Sequence, residues 1–97
     1  MPAYVFANIE VTDPALYDEY RKGVSATIAQ YGGRYVVRGG AAEALEGGYA
    51  PKRVVILEFP SVERAKAWWN SPEYRPLRAI RQRASRGDLI LAEGLAP

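Results

Sequence analysis

The stretch RVVILEFPS, residues 53–61, decides the fold of this 97-residue chain. Its apolar side chains alternate between two faces of an extended segment, with Val55, Leu57 and Phe59 on one face and Val54 and Ile56 on the other. A strand that is apolar on both faces needs cover on both sides. Glu58 interrupts the second face, and a buried carboxylate is costly unless it is paired, hydrogen-bonded or neutral. Pro60 predicts the end of the strand, and Ser61 is placed to cap a helix.

Three further strands and two helical regions accompany this central strand. Alternation of side chains predicts strands over residues 4–11, 34–38 and 88–93. Asp13 and Pro14 predict the start of a first helix, whose buried stripe is formed by Tyr17, Tyr20, Val24, Ile28 and Tyr31. The second helical region starts at Ser61, breaks at residues 70–72 and ends at Gly87. Its last part is predicted to turn inward the side chains of Tyr74, Leu77, Ile80 and Arg81 or Ala84.

The element order βαββαβ predicts an α+β, ferredoxin-like fold in one domain over residues 1–97. We expect a four-stranded antiparallel sheet with both helices on one face. We expect right-handed crossovers from strand one to three and from two to four, with strands one and three parallel. The other sheet face is then bare. Because the strands are apolar on both faces, we predict that a second copy covers it in a homodimer.

Composition excludes several classes of function. The chain has no Cys and no His, which removes the commonest metal ligands and the commonest general base, so we expect no metal and no cofactor. A net charge of +2 is too weak to indicate nucleic acid, and the central strand lacks the stacking aromatics of an RNA-recognition module. No apolar stretch reaches the roughly 20 residues of a membrane helix, and the N-terminus lacks signal-peptide features, which favours a cytoplasmic protein.

Four segments together carry a resemblance to a known family. They are VTDPALYDEY at 11–20, YGGRYVVRGG at 31–40, RVVILEFPSVERAKAWWNSPEYRPLR at 53–78 and GDLILAEG at 87–94. In this order and spacing they resemble the domain of unknown function family 1330, within the dimeric α+β barrel superfamily, over essentially the whole chain. The resemblance implies a ferredoxin-like subunit that forms a homodimer through its sheets, and related superfamily members place ligands between the sheet and the helices. It implies no activity, although related superfamily members include cofactor-independent monooxygenases, haem-degrading enzymes, lactone isomerases and stress-response proteins.

The expected strand pairing places a polar pocket under the helices, around Glu58. Glu58 and Tyr17 are the candidate catalytic residues, the first as an acid or base with a raised pKa and the second as a hydrogen-bond donor. The candidate ligand-binding residues at the same pocket are Asn8, Tyr20, Arg34, Arg38, Trp69, Tyr74 and Asp88. An arginine there would bind an anionic ligand and the aromatic rings an aromatic one.

Each candidate also has a structural alternative. Glu58 could be a core carboxylate paired with Arg34 or Arg38, and Trp69 and Tyr74 could be core aromatics. The pocket favours a cofactor-independent small-molecule enzyme of the isomerase, decarboxylase or oxygenase type. A non-catalytic ligand-binding module and a structural or assembly module are the alternatives, so the sequence leaves open whether the protein is an enzyme.

Overall fold

The computed structural model describes residues 1–96; Pro97, the last residue of the predicted domain, lies outside them. Its elements in chain order are β1 (Ala3–Val11), α1 (Pro14–Gln30), β2 (Arg34–Arg38), β3 (Arg53–Phe59), α2 (Val62–Trp69), α3 (Arg75–Ala84) and β4 (Ser85–Glu93). The strands form one antiparallel sheet in the order β2-β3-β1-β4, and the helices pack on one of its faces. The predicted α+β, ferredoxin-like fold class is therefore confirmed. Within the described part of the chain, no helix has the length and hydrophobicity needed to span a bilayer.

The predicted direction of the central strand pair is wrong. β1 pairs with β3 in antiparallel register, with Tyr4 opposite Glu58 and Asn8 opposite Val54. β2 is also antiparallel to β3, so β1 and β2 run in the same direction on either side of it. The crossovers therefore connect β1 with β2 through α1, and β3 with β4 through α2 and α3, rather than strand one with three and two with four.

The core lies between the helices and the face of the sheet that they cover, which we call the helix side. β1 contributes Ala3, Val5, Ala7 and Ile9, and β3 contributes Leu57 and Phe59. The predicted stripe of α1 packs against them, although its last member, Tyr31, is the C-cap and only partly buried. Thr27 joins the stripe because its hydroxyl donates to the carbonyl of Val24 and accepts the indole N–H of Trp68.

The helix ends follow local hydrogen bonds. The Asp13 and Ser61 side chains accept from the backbone N–H of Leu16 (3.2 Å) and Arg64 (3.1 Å), as predicted for the two N-caps. The last helix ends at Ala84 and not at Gly87, which lies inside β4. A Cβ at Gly87 would collide with the carbonyl oxygen of Asn8, so this glycine permits close approach of two strands.

The second face of the sheet, here called the outer face, is not covered by any of the described helices. Its register-matched side chains are Tyr4, Phe6, Asn8 and Glu10 of β1, Val54, Ile56 and Glu58 of β3, and Arg86, Asp88, Ile90 and Ala92 of β4. Phe6 lies between Ile56 and Ile90 at the apolar centre of this face, while charged and amide side chains lie at both ends. The molecule is a slab of 35 × 33 × 17 Å, with one helical layer and one sheet face that no described helix covers.

Candidate functional site

A cavity of about 40 Å³ lies between α1 and the helix side of the sheet, large enough for about three water molecules or the head group of a small ligand. The charged residues that line it are Arg21, Arg38, Arg53 and Arg81, and the tyrosines are Tyr17, Tyr20 and Tyr35. No carboxylate between residues 1 and 96 lines it. We call this space the arginine cavity.

A β-bulge brings Arg38 into the arginine cavity. Tyr35 is opposite Leu57 and Arg38 is opposite Val55, with an irregularity between Tyr35 and Val37. Leu57 and Val55 both face the helix side, so Tyr35 and Arg38 do as well, although they are three residues apart. Strict alternation along the strand would place Arg38 on the face opposite to Tyr35, and the bulge reverses this. The Arg38 guanidinium donates to the Ser25 hydroxyl (3.1 Å), and its carbon lies 4.3 Å from the centre of the Tyr35 ring.

Arg53 and Arg81 enter the cavity from two other elements. Arg53 begins β3 opposite Ile9, on the helix side, with its guanidinium carbon 6.0 Å from the centre of the Tyr17 ring. Arg81 is on the inner face of α3, and only 6% of it is exposed. The Nε atoms of both arginines are buried without a hydrogen-bond partner among the described residues.

The arginine cavity has an uncompensated positive charge. Arg21 pairs with Asp18 at 3.8 Å, but Arg38, Arg53 and Arg81 form no ion pair within residues 1–96. Arg81 is buried, Arg53 is partly buried and Arg38 is exposed, so the free-energy cost of taking a guanidinium out of water without a counter-charge falls mainly on Arg81. The cavity is therefore suited electrostatically to an anion.

Two tyrosines from α1 contribute aromatic rings to the lining of the arginine cavity. The rings of Tyr17 and Tyr20 are 5.4 Å apart between centres, and the Tyr20 hydroxyl lies 3.0 Å from the Tyr74 hydroxyl. Burial, together with the neighbouring Tyr74, raises the pKa of Tyr20 above its ordinary value. Tyr20 is therefore a neutral phenol at physiological pH and can act as a hydrogen-bond donor or acceptor, but not as a phenolate base.

Glu58 lies on the outer face and does not share the arginine cavity with Tyr17. Its Oε2 accepts from the Tyr4 hydroxyl at 2.9 Å, and its Oε1 accepts from Nε of Arg34 at 2.6 Å. These hydrogen bonds hold the pKa of Glu58 below its ordinary value, and the bond from Tyr4 has the largest effect. The sequence had predicted a raised pKa, so this prediction is wrong. Pairing with Arg34 was the structural alternative, and the structure shows that pair. Arg34 is accordingly not part of the cavity either.

The chain matches the family model described as Domain of unknown function (DUF1330) over residues 2–95. It belongs to the DUF1330 family. This confirms the family to which the sequence segments pointed. Among curated proteins, none matches the chain.

Several solved structures resemble this DUF1330 chain. The RPA0582 protein of unknown function from Rhodopseudomonas palustris has a TM-score of 0.78 and 23% identity, over 99% of this chain and 84% of that chain. SnoaB, a cofactor-independent oxygenase from Streptomyces nogalater, has a TM-score of 0.62 and 13% identity, over 99% of this chain and 94% of that chain. Rv0793 from Mycobacterium tuberculosis has a TM-score of 0.58 and 19% identity, over 100% of this chain and 98% of that chain. At these identities the likeness shows the α+β fold alone.

Asn8 and Asp88 are neighbours in the DUF1330 structure, but on the outer face. They lie opposite each other in β1 and β4, at the end of the sheet away from Glu58. The Asn8 side chain holds the loop before β3, since its Oδ1 accepts from the N–H of Lys52 (2.7 Å) and its Nδ2 donates to the carbonyl of Ala50 (3.3 Å). Neither residue reaches the arginine cavity.

The predicted ligand-binding residues Tyr74 and Trp69 lie in the core and at the surface, respectively. Tyr74 is fully buried and stacks on Trp68 with 4.0 Å between ring centres, as a core aromatic does. Trp69 is half-buried and lines a separate, mostly apolar groove of about 430 Å³ between α2 and β4. Arg78 lies over its ring at 4.7 Å and donates to its carbonyl, and the guanidinium carbon of Arg81 is 6.0 Å from the ring centre. Trp69 itself is not among the residues that line the arginine cavity.

Sequence reasoning missed three of the four cavity arginines as site residues, namely Arg21, Arg53 and Arg81. Strand periodicity already placed Arg53 on the same face as Val55 and Leu57, and helical periodicity offered Arg81 for the inner face of the last helix. The signal was therefore a charged residue at a position that the pattern predicts to be buried. Of the predicted site residues, Tyr17, Tyr20 and Arg38 line the arginine cavity.

Proposed function

We propose that the arginine cavity binds a small organic anion. The observation that carries this proposal is Arg81, which is buried, has an unpaired Nε and faces a cavity that no carboxylate of residues 1–96 lines. A buried charge that lacks a partner destabilises the empty protein. A bound anion would supply that partner and would gain charge-assisted hydrogen bonds of about 1.5–3 kcal/mol each.

The lining favours a carboxylate attached to an aromatic or unsaturated group. A guanidinium presents two parallel N–H donors, which match the two oxygens of a carboxylate. The tyrosine rings and the aliphatic side chains of Val24, Ile28 and Leu57 form the rest of the wall. This combination of an apolar wall and a few polar groups is that of a small-molecule site.

Benzoate and benzamide test the proposal, because they have the same shape and differ in charge. Two charge-assisted hydrogen bonds contribute about 3–6 kcal/mol, and burial of the aromatic ring offsets part of the cost of association. We therefore expect a Kd of the order of a millimolar, about 4 kcal/mol, which suits titration by NMR of the arginine Nε–H signals. We expect benzoate to shift the Arg53 and Arg81 signals and benzamide to leave them in place. Arg81→Gln should abolish the benzoate response, whereas Arg83→Gln, an exposed arginine of the same helix, should retain it. Equal responses to the two ligands, or an unchanged response in Arg81→Gln, would contradict anion binding.

Catalysis without a cofactor is the second candidate function. SnoaB, whose fold this chain resembles, is a cofactor-independent oxygenase. Tyr17 lines the cavity beside Arg53 and is the residue that we place as proton donor to a bound anion, because Glu58 lies on the other face of the sheet. Isomerisation, decarboxylation and oxygenation are the reaction types that this role allows.

Turnover can be followed on the ligands that bind. A product that appears in the NMR spectrum with the wild type, and disappears with Tyr17→Phe at unchanged affinity, would support an enzyme. Bound ligands that stay intact over days of incubation in air would favour a binding module.

The outer face supports self-association as a homodimer. Its centre is apolar around Phe6, and Ile90 beside it is 59% exposed in the single chain. Charged and amide residues surround this centre, among them Glu58 with Arg34 at one end and Asn8 with Asp88 at the other. An apolar centre with a polar rim is the usual anatomy of a protein interface. A second copy of the chain would present the same surface and would cover the apolar side chains on the outer face of the strands.

A further inference from the structure

We propose that Gly39 is a positioning residue of the arginine cavity, because its missing side chain leaves the space that the Arg53 guanidinium occupies. This inference rests on the proposed anion binding and explains how one of the binding groups, the Arg53 guanidinium, is held in place. It gives a specific role to the first glycine of the Gly39-Gly40 pair, which ends the family segment YGGRYVVRGG.

The two glycines of the pair differ in their surroundings. Gly39 has a φ of +72° and its N–H donates to the carbonyl of Val54, next to Arg53 in β3. A Cβ at Gly39 would collide with Nη1 and Cζ of Arg53. A Cβ at Gly40 would meet no heavy atom within 4 Å, and its φ does not lie in the left-handed region.

The collision would displace the Arg53 guanidinium, one of the proposed anion-binding groups, and would not disturb the backbone. The backbone of Arg53 is fixed by its pairing with Ile9, whereas its guanidinium is at the end of a flexible side chain. A side chain at residue 39 would therefore push the guanidinium aside at little cost in packing. The guanidinium would leave its place near the Tyr17 ring, and the cavity would lose one of its uncompensated charges.

Gly39→Asn is the informative substitution. Asparagine tolerates a positive φ better than other residues with a Cβ, so it keeps the collision and reduces the backbone strain. We expect Gly39→Asn to weaken benzoate binding about tenfold, equivalent to the loss of one charge-assisted hydrogen bond. Gly40→Asn is the matched control and should bind benzoate as the wild type does.

A double-mutant cycle separates positioning from a general structural effect. If Gly39 acts through Arg53, then Gly39→Asn should add no further loss of affinity in the Arg53→Gln background. A purely structural role would lower the Tm of both backgrounds alike and would weaken benzoate binding in both.

The results that would overturn the role of Gly39 differ from those that would overturn anion binding itself. If the wild type does not bind benzoate, anion binding fails and the role of Gly39 fails with it. If the wild type binds but Gly39→Asn binds equally well, or weakens binding equally with and without Arg53, then the role of Gly39 is overturned and anion binding stands.

Discussion

At the scale of single residues, the ionisation of Glu58 makes the stability of the fold depend on pH in a direction that can be predicted. Its pKa in the folded protein lies below the ordinary value of 4.5 because of the hydrogen bonds from Tyr4 and Arg34. Stability from such a group is fully present above the unfolded pKa and is lost as the pH falls through the folded pKa. We therefore expect Glu58→Gln to be less stable than the wild type at pH 7, with the difference shrinking below about pH 4.5.

Urea unfolding of both proteins across this range measures that difference directly. Glu73, whose pKa is also lowered by a tyrosine hydrogen bond, is present in both proteins and cancels in the comparison. A stability difference that does not change between pH 7 and pH 3 would show that the Tyr4 and Arg34 contacts do not favour the ionised carboxylate.

Arg81 provides a second residue-scale prediction, a trade-off between binding and stability. Replacing a buried charge that lacks a partner by an apolar side chain of similar length is expected to stabilise the ligand-free fold. Arg81→Met should therefore raise the free energy of unfolding by about 1–2 kcal/mol while removing benzoate binding. Arg83→Met, on the exposed face of α3, should change stability by less than about 0.5 kcal/mol. A destabilised Arg81→Met would mean that the guanidinium is already satisfied in the free protein.

At the scale of elements, the turn between α2 and α3 depends on Ser71. Its hydroxyl donates to the carbonyl of Trp68 at 2.8 Å and accepts from the N–H of Tyr74 at 3.0 Å, and the residue is buried. Ser71→Ala would leave both backbone groups without this partner, so we expect a loss of about 2 kcal/mol in urea unfolding. Ser61→Ala removes a single cap bond at a more exposed helix start and should cost about 1 kcal/mol. Equal losses in the two variants would contradict the special role of the buried turn.

The elements also show which features a sequence can predict. The caps at Asp13 and Ser61 depend on hydrogen bonds to residues three positions away, so a local pattern suffices to predict them. The bulge in β2 depends on its register against β3, which lies beyond a long loop. Alternation alone would therefore place Arg38 on the face away from the cavity, and one inserted residue decides whether this arginine reaches it.

At the scale of the whole molecule, element order and family segments predicted the fold class, but the predicted site depended on long-range pairing. The antiparallel register of β1 and β3 places Glu58 beside Tyr4 and separates it from Asn8 by the length of the strand. Residues that were expected to share one pocket therefore lie on opposite faces or at opposite ends. The arginine cavity draws Arg38, Arg53 and Arg81 from β2, β3 and α3, so no single sequence window contains it.

The bare sheet face leads to the last prediction, which concerns the assembled molecule. The outer face belongs to a slab of 35 × 33 Å, enough for the roughly 800 Å² per partner of a standard interface. We expect a dimer at micromolar concentration by light scattering. Ile90→Lys should shift it to monomer, because it places a charge in the apolar centre and Ile90 is already exposed in the single chain.

Leu45→Lys is the matched control for the outer face. Leu45 is 94% exposed in the loop between β2 and β3, so the same change of chemistry there should leave the dimer intact. Because Ile90 is 59% exposed in the single chain, the monomeric variant should keep its fold and its benzoate response. A wild type that is monomeric at micromolar concentration, or a dimer that persists in Ile90→Lys, would mean that something other than a second copy covers the apolar centre of the outer face.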